Sequence, residues 1–202
     1  MRKETEFLGE VTLDENNDYG MSTHRALDNF NISKETVNMK IIYELVNVKK
    51  QAAVTNQKLG YLEPKIAEAI IKACNLILSG EFDDSFVVNN YQGGAGTSTN
   101  MNVNEVIANV ALEESKHTKG DYDYIHPINH VNLHQSTNDT YPTSVKIAAI
   151  KQIRLLADVY AKLQQSFQQK ETEYANILKL GRTEMMDAVP LLSGQMFGAY
   201  AT

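Results

Sequence analysis

The feature that most restricts the folds open to this chain is a long stretch of helical periodicity near its C-terminal end. Ala149, Ile153, Leu156, Tyr160, Leu163, Phe167, Tyr174 and Ile177 recur three and four residues apart, an order broken only by Lys170. Apolar residues at that interval make a seam along one helix of a bundle or coiled coil. Opened by Pro142, such a rod runs on the order of 45 Å. It overshoots a small domain, so much of its apolar face needs partners from elsewhere.

The rest of the pattern is helical too. Met39 to Leu59 carries Ile42, Leu45, Val46, Val48, Ala52 and Ala53 near a 3.6-residue period and stops at Gly60. Pro64 then takes a first-turn position, with Ile66, Ile70, Cys74 and Ile77 on one face before Gly80. A further helix is expected from about Asn102 to Lys119, stopped by Gly120. Residues 1 to 36 are irregular, with Phe7-Leu8-Gly9 and Tyr19-Gly20 as turns around short extended pieces. The expected fold class is mainly α. An N-terminal helical domain with minor β structure covers 1–140, and the first long helices of a bundle follow over 141–202. The final residues, LLSGQMFGAYAT, are apolar and uncapped, so the bundle reads as truncated.

Composition narrows the function classes. With 43% apolar residues in 202, a substantial core is available. A net charge of −6 and a pI near 5.4 argue against nucleic acid or an anionic membrane as the main partner. The lone Cys74 cannot form an internal disulfide and reads as a reduced, buried thiol. No signal peptide or membrane span is evident, which gives a soluble, cytoplasmic reading. His24, His117, His126, His130 and His134 lack zinc-site spacing. They read as loop histidines with ordinary hydrogen bonds, and no metal is implied.

The chemistry concentrates in three polar segments, each placed before an expected helix. The first follows Gly93, Gly94 and Gly96 with Thr97 and Ser98; the second is Gln135-Ser136-Thr137-Asn138; the third is Gly181-Arg182-Thr183-Glu184. Glycines let backbone approach a ligand, and helix N-termini offer unpaired amides at the positive end of the dipole. The glycine turn is no P-loop, because no Lys-Ser/Thr follows its last glycine. Neutral donors converging at one end of a bundle suit a dicarboxylate better than a phosphoester. The alternative for each residue is a helix cap or a turn hydrogen bond.

These segments carry a resemblance. Gly93 to Asn102 with Asn104 to Asn109, then His130-Val131-Asn132 through Gln135 to Thr143, then Gly181-Arg182-Thr183 with Asp187 to Pro190, resemble in order the three signature blocks of the aspartase/fumarase superfamily. Phe7-Leu8-Gly9, Tyr19-Gly20, Arg25-Ala26 and Asn29-Phe30 fit its opening. GGAGTST and QSTND resemble the aspartate ammonia-lyase branch, whereas class II fumarases typically read GSGTQ and QSSND.

The resemblance implies elimination of ammonia from L-aspartate to give fumarate. A base removes the proton beside one carboxylate, and preorganised donors hold the aci-carboxylate intermediate. It implies substrate binding by Thr97, Ser98, Ser136, Thr137 and Asn138, and catalytic positions at Thr183 and Glu184. It implies no cofactor, and a homotetramer whose sites are shared between subunits. The family's flexible loop with its serine base would lie beyond Thr202, so the 202-residue chain alone is expected to be inactive. Two positions depart from the pattern: Glu184 stands where the family often has His or Gln, and Ile128-Asn129 replace Asn-Asp after His126-Pro127. The competing readings are a fumarase or another fumarate-releasing lyase, and a catalytically silent scaffold on the same helical frame.

Overall fold

The structure is a computed structural model and describes residues 1–6 and 9–202. Two compact units divide the chain, Met1–Ala148 and Ala149–Thr202. The fold is mainly helical, with two small two-stranded sheets.

The first unit opens on an antiparallel hairpin of β1 (Arg2–Glu6) and β2 (Gly9–Leu13), paired from Arg2–Leu13 to Glu6–Gly9. The expected turn at Phe7-Leu8 lies outside the described residues. Three helices then build the core: α2 (Met39–Lys58), α3 (Pro64–Leu78) and α4 (Thr97–Glu114). Ile42, Leu45 and Val46 of α2, Ile70, Cys74 and Ile77 of α3, and Val103, Ile107 and Val110 of α4 are at most 1% exposed. Each Ile or Leu so buried contributes about 1.5–3 kcal/mol. Burial also pushes the Cys74 thiol up to about 12, so it is protonated and inert at neutral pH.

Helix α4 is the hub of this unit, and its polar residues set it apart. Asn100, Asn102, Asn104, Glu105 and Asn109 are buried along with the apolar ones. A buried amide or carboxylate is tolerated only when it is hydrogen-bonded. Here those bonds tie α4 to distant parts of the chain. Asn102 donates to the Ser85 carbonyl (3.1 Å). Asn109 donates to the Asp18 carbonyl (2.7 Å) and accepts from the Gly120 amide (2.9 Å).

One of those ties explains a helix absent from the sequence expectation. Residues Met21–Asn29 form α1, whose N-terminal residue Gly20 offers no side-chain cap. The cap comes from α4 instead. Glu105 accepts from the amides of Gly20 (3.0 Å), Ser22 (2.8 Å) and Thr23 (3.0 Å) and from the Thr23 hydroxyl (2.6 Å). A carboxylate at a helix N-terminus satisfies unpaired amides and opposes the dipole.

The boundaries of two expected helices shift. Helix α4 begins at Thr97 rather than Asn102 and ends at Glu114 rather than Lys119. At its C-terminus Lys116 takes a left-handed φ of 63°. His117 and Lys116 donate back to the carbonyls of Leu112 and Glu113, the bond pair that terminates a helix without waiting for Gly120. Helix α5 covers Thr137–Glu173, with Pro142 inside it instead of opening it. Tyr174 and Ile177 therefore fall past its end.

The second unit contains the rest of α5 and a hairpin of β3 (Leu178–Thr183) and β4 (Met186–Leu192), followed by α6 (Ser193–Tyr200). The hairpin corrects the expectation that Gly181-Arg182-Thr183-Glu184 leads into a helix. Glu184 and Met185 turn the chain in two residues, both left-handed at φ 53° and 62°. Two successive positive φ angles match the twist of a tight hairpin, not a helix start. Within this unit Phe197 lies 5.6 Å from the Tyr174 ring and 6.5 Å from Phe167.

Candidate functional site

Of the seven residues singled out from sequence, five sit at two helix starts in the first unit. Thr97 and Ser98 open α4. Ser136 precedes α5, and Thr137 and Asn138 open it. Thr97, Ser136 and Asn138 are exposed; Ser98 and Thr137 are half-buried. Thr183 and Glu184 belong to the second unit, Thr183 paired with Met186 at the end of β3 and Glu184 in the exposed hairpin turn.

The glycine turn is shaped for close approach. Gly94 and Gly96 take φ angles of 74° and 87°, a region that residues with a Cβ avoid. A Cβ on Gly96 would also run into the ring of Tyr141, which α5 places against the loop. The turn is held from inside by Gln92. Its Oε1 accepts from the Thr99 amide (3.0 Å), and its Nε2 donates to the Asn89 carbonyl (2.9 Å) and the Thr99 hydroxyl (2.8 Å). That clasp satisfies the third amide of α4. The amides of Thr97 and Ser98 have no carbonyl one turn back within the helix.

At the second helix start, Ser136 acts as a cap, its Oγ accepting from the Asn138 amide at 3.2 Å. The capping alternative is thus correct for its oxygen, while its proton stays free to donate. Pro142 brings no N–H, so the Asn138 carbonyl lacks its partner one turn on. The two starts meet through Asn100 of α4, whose Nδ2 donates to Thr137 Oγ1 at 3.0 Å. This bond joins two helix N-termini, the positive ends of their dipoles, with the exposed carboxylate of Asp139 in the first turn of α5 beside them.

Beneath it lies a polar network that sequence reading missed. Asn132 Oδ1 accepts from Asn100 Nδ2 (3.1 Å), Asn104 Nδ2 (3.2 Å) and Lys49 Nζ (2.6 Å). Lys49 is 0% exposed, and burial lowers its amine to about 7. One signal was available. Lys49 and Asn56 stand at positions of the α2 stripe where the spacing from Ile42, Leu45 and Ala53 calls for apolar residues. Asn56 reaches the same loop, donating to the Leu133 carbonyl at 3.1 Å.

The histidines have local partners. His126 Nδ1 accepts from the amides of Ile128 and Asn129 and so caps a π-helical turn at Pro127–Val131. His130 Nδ1 accepts from the His126 amide, and burial, with His126 nearby, pulls its pKa down. His117 pairs with Asp121 at 2.7 Å and stacks on Tyr124. Among the described residues no group of three or more His, Cys, Asp or Glu side chains could hold a metal ion.

A mainly helical chain with polar helix starts gathered at one site defines a class, and comparison with known proteins gives it a family. The model of the family described as Lyase matches residues 9–202, and the chain belongs to that family. It is 44% identical over 203 residues to the aspartate ammonia-lyase of Helicobacter pylori strain J99, covering 100% of this chain and 43% of that protein. Among solved structures it is similar to a fumarate lyase:delta crystallin from Brucella melitensis, with a TM-score of 0.90 and 43% identity over 99% of this chain and 47% of that one. It is also similar to a class II fumarase from Schistosoma mansoni, with a TM-score of 0.88 and 36% identity over 99% and 42% of the two chains. The chain spans under half the length of the relatives it matches. Among the described residues no helix is long and apolar enough to cross a membrane.

Proposed function

We propose that this chain is part of an aspartate ammonia-lyase that converts L-aspartate to fumarate and ammonia. The observation that carries the reading is the contact between two helix starts, Asn100 to Thr137, which brings GGAGTST and QSTND to one surface. The identity of 44% to proteins named aspartate ammonia-lyase supports it.

In this reading Thr97, Ser98, Ser136, Thr137 and Asn138 hold the substrate's carboxylates and its ammonium group. Removal of the proton beside one carboxylate puts a second negative charge on that group. Preorganised hydroxyl and amide donors stabilise the doubly charged form better than the ground state, and that difference lowers the barrier. The carbon–nitrogen bond then breaks and ammonia leaves. Thr183 and Glu184 act in catalysis, with Glu184 suited to an ammonium rather than a carboxylate. The proton-abstracting base is assigned to none of the residues named here. A cytoplasmic homotetramer, with each site completed by neighbouring subunits, belongs to the same reading. The exposed apolar row Ile153, Leu156, Tyr160 and Leu163 supports the association.

A second reading, a hydratase acting on malate, is favoured by the TM-score of 0.88 to the class II fumarase. The test is fumarate formation from L-aspartate, L-malate and related adducts, each offered separately to the polypeptide that carries this chain. Turnover of aspartate is expected. Activity on malate alone would move the assignment to the hydratase.

A further inference from the structure

We infer that Lys49 is a positioning residue for the Thr137 hydroxyl: through Asn132 and Asn100 it fixes the direction of a buried hydrogen-bond chain, so that Thr137 points its proton outward to an anion. The functional consequence rests on the reading of Thr137 as a carboxylate donor.

Amide polarity sets the direction of the chain. An asparagine can present either its oxygen or its NH2 to a neighbour, and the neighbour decides which. Lys49 Nζ, 2.6 Å from Asn132 Oδ1, is a donor whether charged or neutral. Near a pKa of about 7 both forms exist at neutral pH, and each keeps at least two N–H groups. Asn132 must therefore turn its oxygen inward, and its Nδ2 donates to the Gln135 carbonyl at 3.0 Å. With that oxygen fixed, Asn100 and Asn104 must both present NH2 groups to it, at 3.1 and 3.2 Å. The same Asn100 NH2 reaches Thr137 Oγ1. Thr137 is thereby an acceptor on its inner side, and its own proton is left for the solvent side.

The network shows the strain of an imposed orientation. Asn100 Oδ1 and Asn104 Oδ1, both buried, find no donor among the described residues. Left to themselves, these amides gain by turning over, since an unmet buried acceptor is costly. In the reversed chain Asn100 Oδ1 faces Thr137 and takes its proton, and the outward donor is lost. Lys49 holds the chain in the other sense.

The test compares Lys49→Met, of similar length but no donor, with Lys49→Gln, a neutral donor, in the polypeptide that carries this chain. Side-chain amide signals of labelled asparagine report whether the Asn100 NH2 protons stay close to the Thr137 methyl. That contact is expected in the parent and in K49Q and is expected to vanish in K49M. Fumarate affinity, by titration calorimetry, is expected to fall about tenfold in K49M and within about threefold in K49Q, the scale of one hydrogen bond to a charged group. Should K49M not fold, Asn100→Leu removes the inner donor to Thr137 with Lys49 in place, frees the hydroxyl to rotate, and is expected to weaken fumarate binding by a smaller factor than that expected of K49M. Persistence of the amide-to-methyl contact in K49M overturns the positioning role, as does an Asn100→Leu chain that binds as the parent does. A parent that binds no fumarate, yet loses the contact in K49M, leaves the positioning role standing and overturns the assignment of Thr137 to substrate.

Discussion

At the scale of single residues, glycine and asparagine shape the site more than any ionised group. Gly96 combines a left-handed backbone with the Tyr141 ring where a side chain would be. Gly96→Ala therefore meets both a backbone penalty and overpacking, together about 2–5 kcal/mol. Urea unfolding is expected to show that loss. Pairing it with Tyr141→Ala should relieve the steric part but leave the backbone part; a neutral Gly96→Ala would refute the account. The glycine turn and the hydroxyl residues after it were legible in sequence, because chain neighbours determine φ and helix capping. Lys49 and Asn132 were not. They stand 83 positions apart, and their meeting depends on how α2 packs beside the loop before α5.

At the scale of elements, a helix can owe its existence to a residue far away in the chain. Helix α1 is nine residues long, too short to persist alone, and its amides are capped by Glu105 of α4. Burial pushes the Glu105 carboxyl up, while the donors of Gly20, Ser22 and Thr23 pull it back. Glu105→Gln turns an NH2 towards one or more of those donors and is expected to cost roughly 1–3 kcal/mol. The effect should be local. Amide hydrogen exchange is expected to speed up across Met21–Asn29 first, with α2, α3 and the centre of α4 still protected. Uniform loss of protection would instead make Glu105 part of the global core. The β3–β4 hairpin teaches a related lesson. Gly181-Arg182-Thr183 reads as a turn before a helix, yet the left-handed pair Glu184-Met185 makes it a strand end.

At the scale of the whole molecule, the exposed faces matter as much as the core. Ile153, Leu156, Tyr160 and Leu163 are 49–63% exposed on one seam of α5, more apolar surface in a row than an isolated soluble chain usually leaves in water. Self-association is expected by light scattering, and Leu156→Asp with Leu163→Asp is expected to abolish it. A clean monomer of the parent would contradict the seam's role. The sequence by itself determined the mainly helical architecture, the long seam and the membership of a lyase family, because periodicity and signature blocks are written in near neighbours. Only the tertiary structure decided that α1 forms, that the third polar segment ends a strand, and that Lys49 lies under Thr137. The physical reason is range: each depends on how the backbone folds back on itself, and two of the three on hydrogen bonds across more than eighty residues, between Gly20 and Glu105 and between Lys49 and Asn132.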